Sequence, residues 1–205
     1  MSAGGRTVSM RFTSSQAGSL YVEFLAPQSG GTTRRDGSPD ATVNVAGVSA
    51  QRLKYLDVLL IEPWAVQLNE SNGYPLGKEG LRVRIPNAAA YLMHKVLVLN
   101  ERKHGKQPKD VLYIHDTLLM FSAALGQLQV SARLVAQELH PKWLRTFDER
   151  RRGLFANVDD RLRGAARIAL ESGRAHPPSA EQVRLLCQQG LEKVFGQTIA
   201  AALGR

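Results

Sequence analysis

"AAAYLMHKVLVLNERKHGKQPKD", residues 88–110, decides how this chain is read. Its first half is apolar nearly all round, which predicts a largely buried helix. Asn87 follows Pro86 and is placed to cap it, and the periodicity carries it to about Lys103. Tyr91, Lys95, Val98 and Arg102 then share one stripe. A lysine inside such a helix either snorkels to the surface or lines a cleft that holds an anion, because burial without a partner is costly. Arg102, Lys103, His104, Lys106 and Lys109 follow within eight residues, interrupted by Gly105 and Pro108. The run reads either as a solvated loop or as a phosphate-facing one. Asp110 begins the next helix, where the dipole favours a carboxylate. It either only caps that helix or also points into the cleft and orients Lys95 or a substrate hydroxyl.

Outward from this segment the pattern changes from strands to helices. Toward the N-terminus, "SLYVEFL" (19–25) alternates as a strand, and residues 28–40 form a breaker-rich loop. Ser49 is read as capping a short helix that leads into a buried apolar run at Tyr55–Ile61. "WAVQL" and "LRVRIP" form a hairpin-like pair of strands joined by the turn-rich "NESNGYPLGKEG". Toward the C-terminus, helices are expected over Lys109–Leu125, Leu128–His140, from Pro141 through "PKWLRTFDERRRGLF", over Val158–Ser172 and over Ser179–Leu203. Ser179 and Gln182 make a capping box. Strands followed by helices predict an α+β fold: a mixed α/β part over residues 1–126 and a helical part over 127–205.

Composition narrows the chemistry. The 205 residues carry a net charge of +9, split as +4 over residues 1–125 and +5 over 126–205. The excess is spread rather than gathered in a tail, which favours attraction to polyanions without proving it. Cys187 is the single cysteine, so an internal disulfide is impossible and a cysteine-based zinc site is disfavoured. It sits in a helical apolar pattern and reads as a core residue. No run approaches the length of a membrane span, and a cytoplasmic protein is expected. The histidines at 94, 104, 115, 140 and 176 show no metal-ligand spacing, and His115-Asp116 reads as a polar stripe on a helix. Gly30-Gly31 is not followed by the Gly-Lys-Ser of a P-loop. The triplet Arg150-Arg151-Arg152 reads first as a solvated helix face and second as a contact for nucleic-acid phosphates.

The segment "VRIPNAAAYLMHKVLVLNERKHGKQPKDVLYIHDTLLMF" resembles part of the bacterial nucleotidyltransferase-fold superfamily, in the group related to AbiEii-type toxins of toxin–antitoxin systems. The resembling elements are Val83–Pro86, His94-Lys95, Arg102, Lys106 and the pair Lys109-Asp110. Upstream, "YVEFLAP" is similar to the strand bearing the third acidic residue of that fold, with Glu23 in its place. The resemblance spans roughly residues 19–125. It implies transfer of a nucleoside monophosphate from an NTP to a hydroxyl, with Mg²⁺ held by carboxylates. Glu23 is then the metal-side carboxylate and, with Asp110, a catalytic group. Lys95, Arg102, Lys106 and Lys109 bind the nucleotide. RNA or an antitoxin-like protein is the further partner implied.

Ala17–Ser19 supplies a Gly-Ser, but the family's paired carboxylates on a strand are missing: no Asp-x-Asp or Asp-x-Glu occurs before Glu23, and Asp36 and Asp40 are loop residues without that spacing. The expectation is a truncated or degenerate member, with the start placed too late or the motif lost, and with little transferase activity of its own. The competing expectations are a non-enzymatic basic module for nucleic acid and a domain bound to a protein partner.

Overall fold

The computed structural model describes residues 9–14, 18–28, 42–45 and 48–204, with the backbone alone for 9–14, 18–23, 42, 45 and 48. Two compact units are present, Met1–Asp57 and Val58–Arg205. The fold is mixed α+β, with small sheets first and helices after.

In the first unit, β1 (Ser9–Ser14) and β2 (Gly18–Glu23) pair antiparallel, with Ser9 opposite Glu23. β3 (Leu25–Pro27) runs parallel to β5 (Val48–Leu53), and β4 (Thr42–Val45) runs antiparallel on its other side. The expected strand 19–25 is therefore split at Phe24, whose carbonyl accepts from the Gln51 N–H at 2.8 Å. The helix expected to start at Ser49 is a strand instead. β5 is bonded on both edges, and those two ladders satisfy its backbone in a way that one capping residue could not signal. The loop 28–40 lies, beyond Gln28, outside the described residues.

The apolar run after Tyr55 is a short 3-10 turn, Leu56–Leu60. Tyr55, Leu56 and Val58 are buried while Leu60 is exposed, so the run is only partly core. In the second unit, β6 (Trp64–Leu68) and β7 (Leu81–Ile85) form the expected hairpin. Trp64, Val66 and Leu68 face Ile85, Val83 and Leu81 on one side; Ala65 and Gln67 face Arg84 and Arg82 on the other. Gly80 holds the closing turn at φ 63°, where an added Cβ would collide with the Leu68 carbonyl.

Six helices follow: α1 (Ala88–Leu99), α2 (Gln107–Met120), α3 (Leu125–Glu138), α4 (Pro141–Gly153), α5 (Asp160–Glu171) and α6 (Ala180–Ala202). α1 is central. All its residues but Tyr91 are buried, and it packs against α2, α3 and α4. Asn87 sets its start: the side-chain oxygen accepts from the Ala90 N–H at 2.8 Å, and Nδ2 donates to the carbonyls of Ile61 and Glu62 at 3.0 Å each. The cap thus also anchors α1 to the chain that enters the hairpin. α1 ends at Leu99, short of the expected Lys103, and α2 begins at Gln107. A 3-10 turn, Ser122–Ala124, joins α2 to α3 within the second unit. α5 and α6 pack on α2, and Phe147 meets Phe195 edge-on at 4.8 Å.

Candidate functional site

Helical spacing carries Lys95 and Arg102 to the same side of α1 and its trailing turn, and α2 starts opposite them. Lys95 Nζ donates to Asp110 Oδ1 at 2.6 Å, and Arg102 Nε lies 3.2 Å from Asp110 Oδ2. The Lys95 and Asp110 side chains are only 10% and 6% exposed, so this is a buried ion pair. Arg102 is partly open to solvent. Asp110 is therefore more than a helix cap, and Lys95 does not snorkel to the surface.

Two tyrosines complete the surroundings of Lys95. Its ammonium lies 5.4 Å from the Tyr91 ring centroid and 5.0 Å from that of Tyr113. Lys109 Nζ lies 5.6 Å from the same Tyr113 ring. Tyr113 therefore brings Lys95 and Lys109 together, a role with no sequence signal beyond an aromatic one turn after Lys109. Burial, then the neighbouring Tyr113 and Asp110, push the Tyr91 hydroxyl up to about 12. Lys106 lies in the 3-10 turn His104–Lys106 and is exposed; no contact among the described residues ties it to Asp110. The turn is fixed from the other side, where Gln107 Nε2 donates to the Arg102 carbonyl at 3.0 Å and Pro108 opens α2.

His94 is buried beside this cluster with neither ring nitrogen partnered. Burial first, then the charges of Lys95 and Arg102, push it down to about 4, so it is neutral at pH 7. Arg102 Nε and Asp110 Oδ2 also lack a well-aligned hydrogen bond, despite their proximity. The cluster thus has two cations on one carboxylate, with Lys109 near the shared Tyr113 ring, and keeps polar atoms in reserve, an arrangement suited to an anionic ligand.

A model of a nucleotidyltransferase family matches residues 5–136. The chain belongs to that nucleotidyltransferase family. Comparison with curated proteins and with solved structures gave no match.

The matched span of this nucleotidyltransferase includes every residue expected to bind nucleotide or act in catalysis. Glu23 ends β2 in the first unit, and its side chain is outside the described residues. Among the described residues, no group of three or more His, Cys, Asp or Glu is placed to hold a metal ion. Asp110 already faces two cations, so its surroundings do not suit Mg²⁺. The described residues by themselves therefore do not make a Mg²⁺ site.

Two polar groupings differ from their sequence reading. The arginine triplet is only partly a solvated face: Arg152 is exposed, Arg150 half-buried and Arg151 buried. Arg151 is buried, bonded to Asp148 at 2.7 Å and to Glu192. Arg150 donates to the Leu97 carbonyl and pairs with Glu101, while Arg152 reaches Asp148 at 3.0 Å. Periodicity shows Asp148 one turn away on α4, but not the Leu97 carbonyl, Glu101 or Glu192, which come from elsewhere in the fold. His115-Asp116 is likewise more than a stripe. His115 Nδ1 meets Asp116 Oδ1 at 3.0 Å, and Arg174 grips both Asp116 oxygens at 2.8 and 2.6 Å. The arginine's hydrogen bonds hold the Asp116 carboxyl below its ordinary value. This tie fastens the α5–α6 linker to α2. Cys187 is buried, and burial pushes its thiol up, as expected for a core residue rather than a nucleophile.

Proposed function

We propose that this nucleotidyltransferase binds the triphosphate of an NTP at Lys95, Arg102 and Lys109, with Lys106 reaching in from the preceding turn. The observation that carries the reading is the buried Lys95–Asp110 pair, set among further cations. Asp110 fixes the Lys95 ammonium in place and keeps Arg102 close, so the cations are oriented before the ligand arrives. One carboxylate against three cations leaves the cluster net positive, and Lys109 and Arg102 have solvent-facing surface with which to meet phosphate oxygens. Neutral His94 adds an uncharged donor to the same environment.

The same proposal carries Glu23, in the first unit, as the residue that would hold Mg²⁺, a metal that would supply neutralisation of phosphate charge. Among the described residues no group of three or more His, Cys, Asp or Glu could hold a metal ion, and we propose that this chain binds nucleotide readily and transfers it slowly. Relationship to the AbiEii-type toxins, a bacterial source and a cytoplasmic location belong to the same proposal.

Calorimetric titration with each of the four NTPs, with and without Mg²⁺, tests it. One-to-one binding that weakens at least tenfold in Lys109→Ala and is lost in Lys95→Ala is the expected result. Lys109 is exposed, so its variant is informative even if loss of Lys95 disturbs folding. Absence of binding to every NTP by the wild-type chain overturns the reading.

A further inference from the structure

The β6–β7 hairpin has a charged face that the nucleotide reading leaves unused. Arg82 and Arg84 project from β7 on the side opposite Trp64, Val66 and Leu68, and both are exposed. The residues across from them are Gln67 and Ala65, one neutral and one small. Gln67 is occupied elsewhere: its Nε2 donates to the Glu79 carbonyl. Neither arginine has an ion pair or hydrogen bond among the described residues. This contrasts with Arg150, Arg151, Arg161, Arg174 and Arg184, which are all engaged.

With Ala65 and Pro63, the two arginines line a depression of about 470 Å³. Residues i and i+2 of a strand stand roughly 6.5–7 Å apart, about the interval between neighbouring phosphates along a nucleic-acid strand. Both arginines are held on one short strand, closed by a turn that Gly80 allows and continuous through Pro86 with the capped start of α1. The pair is thus a rigid two-pronged donor with a shallow floor and no competing carboxylate in register. The hairpin's carboxylates, Glu70 and Glu79, lie in the connection at its far end.

We propose that this face binds the phosphodiester backbone of a single-stranded nucleic acid, with Arg82 and Arg84 on successive phosphates. Bases are not read here, so sequence preference is weak and the affinity depends strongly on salt. The site is separate from the Lys95–Asp110 cluster and needs no nucleotide, so its test is independent of the NTP reading.

Fluorescence anisotropy of the full chain with labelled U12 and dT12, measured without NTP from 50 to 200 mM salt, provides the test. Two phosphate contacts contribute about 1.4 to the slope of log K against log salt for a single strand, so wild-type affinity should fall roughly sevenfold more over that range than that of Arg82→Gln/Arg84→Gln. Both oligonucleotides should behave alike, since only the backbone is held. Arg163→Gln/Arg167→Gln, which removes equal charge from exposed positions on α5, should match the wild type. An unchanged salt slope in the hairpin variant overturns the proposal. So does binding of a polyglutamate peptide as tight as that of the oligonucleotides, which would make the partner an acidic protein.

Discussion

Replacing Lys95 by Met should be far more damaging than a surface lysine substitution. Asp110, whose side chain is 6% exposed, would lose the ammonium at 2.6 Å and keep only Arg102 at 3.2 Å. Breaking one side of a buried pair costs about 3–5 kcal/mol, because the remaining charge is left without compensation. Arg102 remains and is partly solvated, so the lower end applies, about 3 kcal/mol. At an m-value of about 2 kcal/mol per molar urea, the midpoint should drop by roughly 1.5 M. Removing both charges, in Lys95→Met/Asp110→Leu, should recover much of the loss, since Arg102 can then turn to water. A coupling energy of about 2 kcal/mol is expected from the double-mutant cycle. Urea unfolding followed by far-UV circular dichroism at pH 7.5 reads the helices that carry the pair. It should give nearly the same shift at 50 and 500 mM salt, because a buried pair is weakly screened. A single-mutant shift below roughly 0.3 M, or additive single and double effects, would refute the reasoning.

Further perturbations have distinct signatures. His94 titrates near 4 when folded and near 6.5 when unfolded, so its contribution is complete above pH 6.5 and lost as pH falls toward 4. Up to about 3 kcal/mol should disappear over that window in pH-dependent urea unfolding, and His94→Gln should remove this component. Arg174→Ala should cost about 1 kcal/mol, since its bridge to Asp116 is nearly a third exposed, and should raise amide exchange in the α5–α6 linker. Asp116, whose folded pKa is depressed, should no longer lend stability above its unfolded value that is lost in acid. Gly164→Ala would set a Cβ 2.8 Å from Pro108 Cγ at the start of α2, and should cost about 1–3 kcal/mol in melting experiments while weakening NTP binding through displacement of Asp110.

The clearest part of the site in the sequence was the spacing of Lys95 and Arg102. Helical periodicity is local, and it put both on one stripe even though the regular helix stops at Leu99. Asp110 was visible as a helix-opening carboxylate, but its meeting with Lys95 depends on the reversal of the chain between α1 and α2, which residues 100–106 do not dictate. The roles of Tyr113 and Arg174 were hidden for the same reason: each depends on packing between helices. Ser49 misled because a capping residue is common in strands too, and the ladders that make β5 a strand come from β3 and β4. The triplet at Arg150 misled in part because a charge run is ordinarily solvated: Arg152 is exposed, whereas Arg150 and Arg151 find partners in Glu101 and Glu192, far away in the sequence. β1 and β4 had no distinct signal, being short strands that acquire regular structure only by pairing.

Protection of lysines by nucleotide tests the central claim most directly. Acylation rates of the exposed Lys103, Lys106, Lys109, Lys142 and Lys193 can be followed by mass spectrometry with and without saturating Mg²⁺–ATP. Lys106 and Lys109 should slow markedly, while Lys142 on α4 and Lys193 on α6 keep their rates. Nucleotide binding that leaves Lys106 and Lys109 fully reactive would place the ligand elsewhere and contradict the account.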